Sequence, residues 1–309
     1  MKLFYCKVTT GNFGDDLNPW LWPKLLPGII DEDGSTLFVG IGSIMNQFIP
    51  DAPLKIVFGS GVGYGTPPVI DERKWKIYCL RGPLSAKALH LPSETGITDA
   101  AILVTKVPLV MPEKIYRLSY MPHKTSAALG AWEEVCNEAG IHYIHPGWPV
   151  ERVLQDILQS RLLITEAMHG AIVADAFRIP WIPVRSFYKI LRFKWMDWCQ
   201  SLGMTYSPAK LPCLLDKEKL LAFMSKRFFG QKRRMITQTL FPVAAYFSGL
   251  IAEITDSSKR HRTIDKLYKL SKMEPFMSDD KRIAEVTERI EEALGRFKND
   301  FFSGRLKGD

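Results

Sequence analysis

Residues 162–184 read LLITEAMHGAIVADAFRIPWIPV. The first four, 162–165, have the length and apolar composition of a short buried strand. Residues 167–177 carry small side chains at helical spacing, and 179–184 form a second β-branched run interrupted by Pro180 and Pro183. Strand, helix and strand in that order predict the repeating unit of a parallel α/β sheet. Glu166, Met168, His169 and Gly170 then fall at the carboxyl end of the first strand, the edge where open α/β sheets bind ligands.

This places His169 in the first turn of the helix. Free N–H groups and the positive end of the helix dipole favour an anion there, and the same field favours a neutral imidazole. Gly170 removes a side chain where a ligand approaches the backbone. A helix-start histidine bonded to a neighbouring loop is the plainer alternative, and both stay open at this point.

Upstream, the chain repeats the theme. Residues 2–8 predict a first strand leading into Thr10-Gly11-Asn12-Phe13-Gly14-Asp15-Asp16-Leu17-Asn18. A glycine-rich turn after a first strand offers backbone N–H groups to phosphate or sugar. It lacks the GxGxxG spacing of a dinucleotide fingerprint, so a nicotinamide cofactor is not expected. It is otherwise a plain turn, with Asp15 or Asp16 capping the next helix. Further strands are predicted at 37–42, 55–58 and 77–80. They run into Gly40-Ile41-Gly42-Ser43, Gly59-Ser60-Gly61-Val62-Gly63 and Arg81-Gly82-Pro83. Several open loops on successive strands suggest one common edge. Arg81 at that edge suits a carboxylate or phosphate, or else a structural ion pair. Asp99, in Thr98-Asp99, either orients a hydroxyl or caps a turn.

Residues 107–114, with Pro108 and Pro112, resemble a linker. A second α/β pattern follows: a strand at 116–121 ending in Pro122-His123-Lys124, a helix at 127–139, a strand at 141–144 and a helix at 149–159. The expected organisation is an N-terminal Rossmann-like domain over 1–110, a second over 111–195, and a helical basic extension over 196–309. The two α/β halves would face a shared cleft.

Charge separates the same regions. Residues 1–185 hold 17 Lys and Arg against 18 Asp and Glu, whereas 186–309 hold 24 against 15. The basic surplus therefore lies wholly in the C-terminal part, where it suits anionic lipid, nucleic acid or polyphosphate. A basic, aromatic run follows the last strand: Arg185, Tyr188, Lys189, Arg192, Lys194 and Trp195. Arg185 and Lys189 are candidates for a second cation pair at the cleft. Residues 235–254 are apolar but interrupted by Pro242 and several polar side chains. Bracketed by cations, they suit lying in an anionic membrane surface or packing in a core rather than spanning. The five cysteines are scattered and lack CxxC spacing, so neither a disulfide framework nor a zinc site is expected. The N-terminus carries no long apolar segment of the secretory type.

Taken together, the motifs at 11–18, 40–43, 59–61, 81–83, 98–99 and Thr165-Glu166-Ala167-Met168-His169-Gly170 resemble, in their order, the polysaccharide pyruvyl transferases of exopolysaccharide and cell-wall assembly. The resemblance runs from about residue 11 to 185. It implies a GT-B-like fold and transfer of the pyruvyl group of phosphoenolpyruvate to two hydroxyls of a sugar, forming a cyclic ketal. It implies phosphoenolpyruvate as a donor substrate with no separate cofactor, and no cluster in the sequence demands a metal. The acceptor would be a lipid-linked oligosaccharide, with the enzyme peripheral on the cytoplasmic face of the membrane and no nucleic-acid partner. The long basic C-terminal region departs from the family pattern.

Such chemistry calls for an acid, a base and stabilisation of anionic charge. His169 is a candidate for phosphate binding or proton transfer, and Glu166 and Asp15 are candidate acids or bases. Arg81, Met168 and Gly170 are candidates for the anion site. Gly11, Asn12, Gly14, Gly42, Ser43, Ser60, Gly61, Asp99 and His123 are further candidates for substrate contact. Two other readings stand beside this one. A GT-B glycosyltransferase with a nucleotide-sugar donor would use the same edge. A purely electrostatic binding module would have no need of the glycine loops.

Overall fold

The computed structural model describes residues 1–187, 190–220 and 257–306. Two parallel sheets organise these residues. The first is built from β1 (Lys2–Phe4), β2 (Thr36–Val39), β3 (Leu54–Ser60) and β4 (Trp75–Leu80), in the order β1-β2-β3-β4. The second contains β5 (Ser119–Met121), β6 (His142–Tyr143), β7 (Leu163–Thr165), β8 (Trp181–Arg185) and β9 (Ala209–Lys210), in the order β6-β5-β7-β8-β9. All the pairings within these sheets are parallel. The opening unit is β7, helix α6 and β8, as its composition predicts.

Helices cover the sheets. They are α1 (Phe13–Leu25), α2 (Pro83–Ala88), α3 (Lys124–Leu129), α4 (Trp132–Glu138), α5 (Val150–Leu158), α6 (Met168–Ala176) and α7 (Arg192–Ser201), then α8 (Ser257–Leu270) and α9 (Asp280–Phe302). The single helix predicted at 127–139 is two helices. Gly130 ends α3 in extended conformation, and a Cβ there would lie 2.5 Å from the Leu214 carbonyl oxygen. A side chain is excluded at that point, and the chain turns.

In the second sheet the strand order reverses between β5 and β7: the chain leaves β5 for β6 on one side and β7 for β8 on the other. The crevice at such a reversal lies at the carboxyl ends of the two strands. Here those ends carry His123 and Glu166.

The core joins the two sheets. Trp22 packs edge-on against Phe38 and Phe58. From the far end of the chain, Phe297 of α9 packs 5.5 Å from Phe38, and the Tyr78 hydroxyl donates to Asp300 at 2.7 Å. Trp181, Trp195 and Trp198 form a second buried aromatic group that fixes α7. The described part of 196–309 thus packs on both sheets: α9 against β4, and α8 against α4. The region 235–254, read above as suited to a membrane surface or to a packed core, lies outside the described residues.

Candidate active site

His169 sits in the first turn of α6, and its position depends on glycine. A Cβ at Gly14 would fall 1.9 Å from His169 Nδ1, so the ring lies directly over α1. Next to that contact, Phe13 N–H donates to the Pro146 carbonyl at 2.7 Å. Gly11, at φ +74°, sits where a Cβ would meet the Gly147 oxygen at 2.6 Å. The loop after β1 and the loop after β6 therefore approach backbone to backbone, and no other residue fits both the space and the conformation at Gly11.

Asp99 comes from the first half of the chain to meet this histidine. It caps a 3-10 helix (Ala100–Lys106) by accepting the Ala101 N–H on Oδ1 at 3.0 Å. Gly59, at φ +77°, makes room for that helix against β3, since a Cβ there would overlap Ala100. The other carboxylate oxygen, Asp99 Oδ2, stands 3.7 Å from His169 Nε2. That is too long for a hydrogen bond. Both atoms are buried and have no partner among the described residues, a costly state for polar atoms unless something else meets them.

Arg81 is fully buried. Its Nε donates to Asp197 at 2.9 Å, Nη1 to Ser43 Oγ at 2.6 Å and Nη2 to the Val62 carbonyl at 2.6 Å. Asp197, on α7, also accepts the Ser85 N–H at 2.9 Å and the Ser85 hydroxyl. Gly61 leaves space for the guanidinium, because a Cβ there would lie 2.5 Å from its Cζ. Arg81 therefore ties the loops after β2 and β3 to α7, and its charge is already matched by Asp197. Ser60 is also buried; with the Gly61 N–H it is bonded to the Gly42 carbonyl, which fixes the two loops to each other. Ser43 is the half-buried member of this set.

Asp15 lies in the first turn of α1, not at its cap, which is Asn12. Asn12 Nδ2 donates to Asp15 Oδ2 at 2.5 Å, and the Asn12 N–H donates to Asp16 at 2.8 Å. Asp15 Oδ1 faces Gly42. Glu166 is fully buried at the strand-order reversal. One of its oxygens accepts the His123 N–H at 3.2 Å and the other the Ser186 N–H, so the carboxylate holds the ends of β5, β7 and β8 together. Met168 is buried in the core, and Gly170 packs against Met121 Sδ. Arg185 ends β8, where its carbonyl accepts the Leu211 N–H. Lys189 lies outside the described residues.

His123 caps α3 through Nδ1, which accepts the Thr125 N–H at 3.3 Å. Burial, with the charges of Lys194 and Lys124, pushes its pKa down to about 3. Lys194 was legible only as one member of the basic run after β8. In the structure it stands among Arg81, Asp15, Lys124 and Asp99, and burial followed by Arg81 brings its pKa down to about 8. The spacing Lys194-x-x-Asp197 on one helix was the available signal, since residues three apart share a helix face.

Against known proteins, the family description "Polysaccharide pyruvyl transferase" matches residues 6–186. That span holds His169, Asp99, Arg81, Asp15 and Glu166 and the strands β2 to β8. The chain belongs to the polysaccharide pyruvyl transferase family. It is also 38% identical over 320 residues to the succinoglycan biosynthesis protein ExoV of Rhizobium meliloti (strain 1021), covering 98% of this chain and 100% of that protein. The match to ExoV extends through the C-terminal region that lies beyond the matched family core. The C-terminal region thus has a counterpart in a relative and is not peculiar to this chain.

Proposed function

We propose that this chain moves the pyruvyl group of phosphoenolpyruvate onto two hydroxyls of one sugar in an exopolysaccharide repeat unit, forming a cyclic ketal. Membership of the pyruvyl transferase family supports the transferred group. The near full-length likeness to a succinoglycan biosynthesis protein supports an exopolysaccharide acceptor. The observation that carries the reading is the pair His169 and Asp99, each with an open buried valence, together with Lys194, a cation without an ion-pair partner among the described residues.

The chemistry balances without water or a redox partner. C3 of the donor takes a proton, which leaves C2 electron-poor and open to the first hydroxyl. The second hydroxyl then displaces phosphate from C2, and the protons of the two hydroxyls pass to the site and to the phosphate. In this reading His169 carries a proton, Asp99 orients it, and the cations beside Arg81 stabilise the departing phosphate. The donor would lie between the carboxyl edges of the two sheets, with 1–110 and 111–195 as the facing halves of a GT-B-like cleft and 196–309 as a basic extension.

The acceptor would be lipid-linked, and the extension would hold the enzyme at the anionic cytoplasmic face. No helix among the described residues is long and apolar enough to cross a membrane. Each cation near an anionic leaflet contributes about 1 kcal/mol, so a few suffice for reversible attachment.

The test supplies purified protein with phosphoenolpyruvate and a lipid-linked oligosaccharide lacking its ketal. The expected result is one phosphate released per pyruvyl group gained by the glycan, with a new ketal carbon by NMR. Consumption of a nucleotide sugar with phosphoenolpyruvate untouched would replace this reading by a glycosyltransferase.

A further inference from the structure

Lys194 lies beyond the matched family core of residues 6–186, on the helix that the Arg81–Asp197 pair anchors. Asp197 is held by Arg81 Nε at 2.9 Å and by the Ser85 N–H at 2.9 Å. At the start of the same helix, Leu191 Cδ2 lies 3.4 Å from where a Cβ on Gly63 would be. These contacts fix α7 over the loops after β3 and β4. Lys194 precedes Asp197 by three residues and so projects from the same face, beside Arg81. Its ammonium stands 6.0 Å from the centre of the Tyr64 ring.

No carboxylate lies within ion-pair distance of Lys194 among the described residues. The groups that face it are Arg81 at the end of β4, Asp15 on α1, Lys124 on α3, Asp99 before its 3-10 helix, His123 after β5 and Tyr64 after β3. Asp197 neutralises Arg81, which leaves Lys194 and Lys124 as cations without an ion-pair partner among the described residues. The first turn of α7 holds no acidic residue and carries Arg192 and Lys194 at its positive end, a placement that an anion relieves and that is otherwise unfavourable. Asp99, whose charge also acts on Lys194, is the residue that faces His169, and Asp99 Oδ2 and His169 Nε2 have no hydrogen-bond partner among the described residues.

We propose that Lys194 binds the phosphate group of the donor and follows it as it leaves, so that a residue outside the matched core completes the donor site. This rests on phosphoenolpyruvate being the donor, but the phosphate contact itself is testable without turnover. The lowered pKa of Lys194 supplies a signature. Phosphate favours the protonated amine, so binding weakens as pH rises through about 8 and takes up protons there.

The experiment is calorimetric titration of the intact protein with inorganic phosphate, and with sulfate, whose charge is constant over this range, from about pH 6 to about pH 10. Lys194→Met and Lys194→Arg are compared with the unaltered chain. The expected result is binding of both anions that falls through pH 8. In Lys194→Met it is weaker by about 10-fold or more at neutral pH and lacks that fall. In Lys194→Arg it is retained and stays flat to the top of the range, because guanidinium does not titrate there. Equal affinity and an equal pH profile in Lys194→Met overturn the proposal, as does sulfate binding by the unaltered chain that ignores pH 8. If anion binding behaves as expected but phosphoenolpyruvate is not turned over, the pyruvyl transfer reading fails while the phosphate site stands. If phosphoenolpyruvate is turned over and Lys194→Met binds phosphate normally, the site assignment fails alone.

Discussion

Asp99 Oδ2 and His169 Nε2 face each other at 3.7 Å across the join between the two halves of the chain, and neither atom has a hydrogen-bond partner among the described residues. The gap is too long for a hydrogen bond, so neither atom is committed to the other and both stay open to a third group. If the two act as one unit, their losses will not add. His169→Ala is expected to lower kcat by about 10²-fold or more. Asp99→Asn keeps the cap to Ala101 and is expected to cost about 10-fold or more. The double variant should be no worse than His169→Ala. Single-turnover rates for the three variants decide the matter, and a double variant showing the product of the two losses would separate the residues.

Arg81 and Asp197 are both fully buried, 116 positions apart in sequence. Removing one partner of such a pair leaves a charge in a poor solvent, at a typical cost of about 3–5 kcal/mol. Asp197→Ala is therefore expected to lower the urea midpoint strongly, because the Ser85 N–H and hydroxyl lose their acceptor as well. Ser85→Ala removes one hydroxyl and should cost only about 1 kcal/mol. Similar midpoints for the two variants would mean that the pair contributes little to the fold.

The unit around His169 was legible because it is local: a buried strand, a helix of small residues and a second strand follow one another within 162–184, and their composition alone separates the periods. The glycine loops were legible for the same reason. What local pattern does not show is which distant chains meet. Arg81 has the type and position of an anion ligand, and only its partner on α7 reveals that its charge is already answered. Glu166 has the type of an acid or base, yet backbone N–H groups from two other strand ends occupy both its oxygens. Lys194 and Asp197 lie in a run that reads simply as basic and aromatic, and the Trp181–Trp195–Trp198 packing that brings them to the site is a tertiary fact. The break at Gly130 has the same origin, since its reason is a carbonyl more than eighty positions downstream.

His123 gives a pH signature in stability. Its folded pKa, about 3, lies below the ordinary 6.5 because of burial, Lys194 and Lys124. Between those values the unfolded chain takes up a proton that the folded chain refuses, so the unfolded state binds more protons and stability rises with pH. Stability is lost as pH falls from about 6.5 towards 3. His123→Asn keeps a helix-capping side chain and removes the titration. Its stability relative to the unaltered chain should improve steadily as pH is lowered through that window, as read by urea midpoints at several pH values. A constant difference between the two proteins would mean that His123 titrates normally.

Gly14 offers a way to move His169 without changing it. A methyl group at Gly14 would sit 1.9 Å from the imidazole Nδ1, so the ring has to leave its place over α1. The backbone there is helical, and alanine is favoured over glycine in a helix by about 1 kcal/mol. Gly14→Ala should therefore keep its fold, with stability within about 1 kcal/mol of the unaltered chain, and lose turnover by about 10-fold or more, approaching His169→Ala. Gly295, within α9, is the matched control: a Cβ there meets nothing within 4 Å, so Gly295→Ala should stabilise by about 0.5–1 kcal/mol and leave turnover unchanged. Urea unfolding and kcat measured on the same preparations separate the two effects. A folded Gly14→Ala enzyme with normal kcat would show that the observed position of the His169 ring is not the one that catalysis uses.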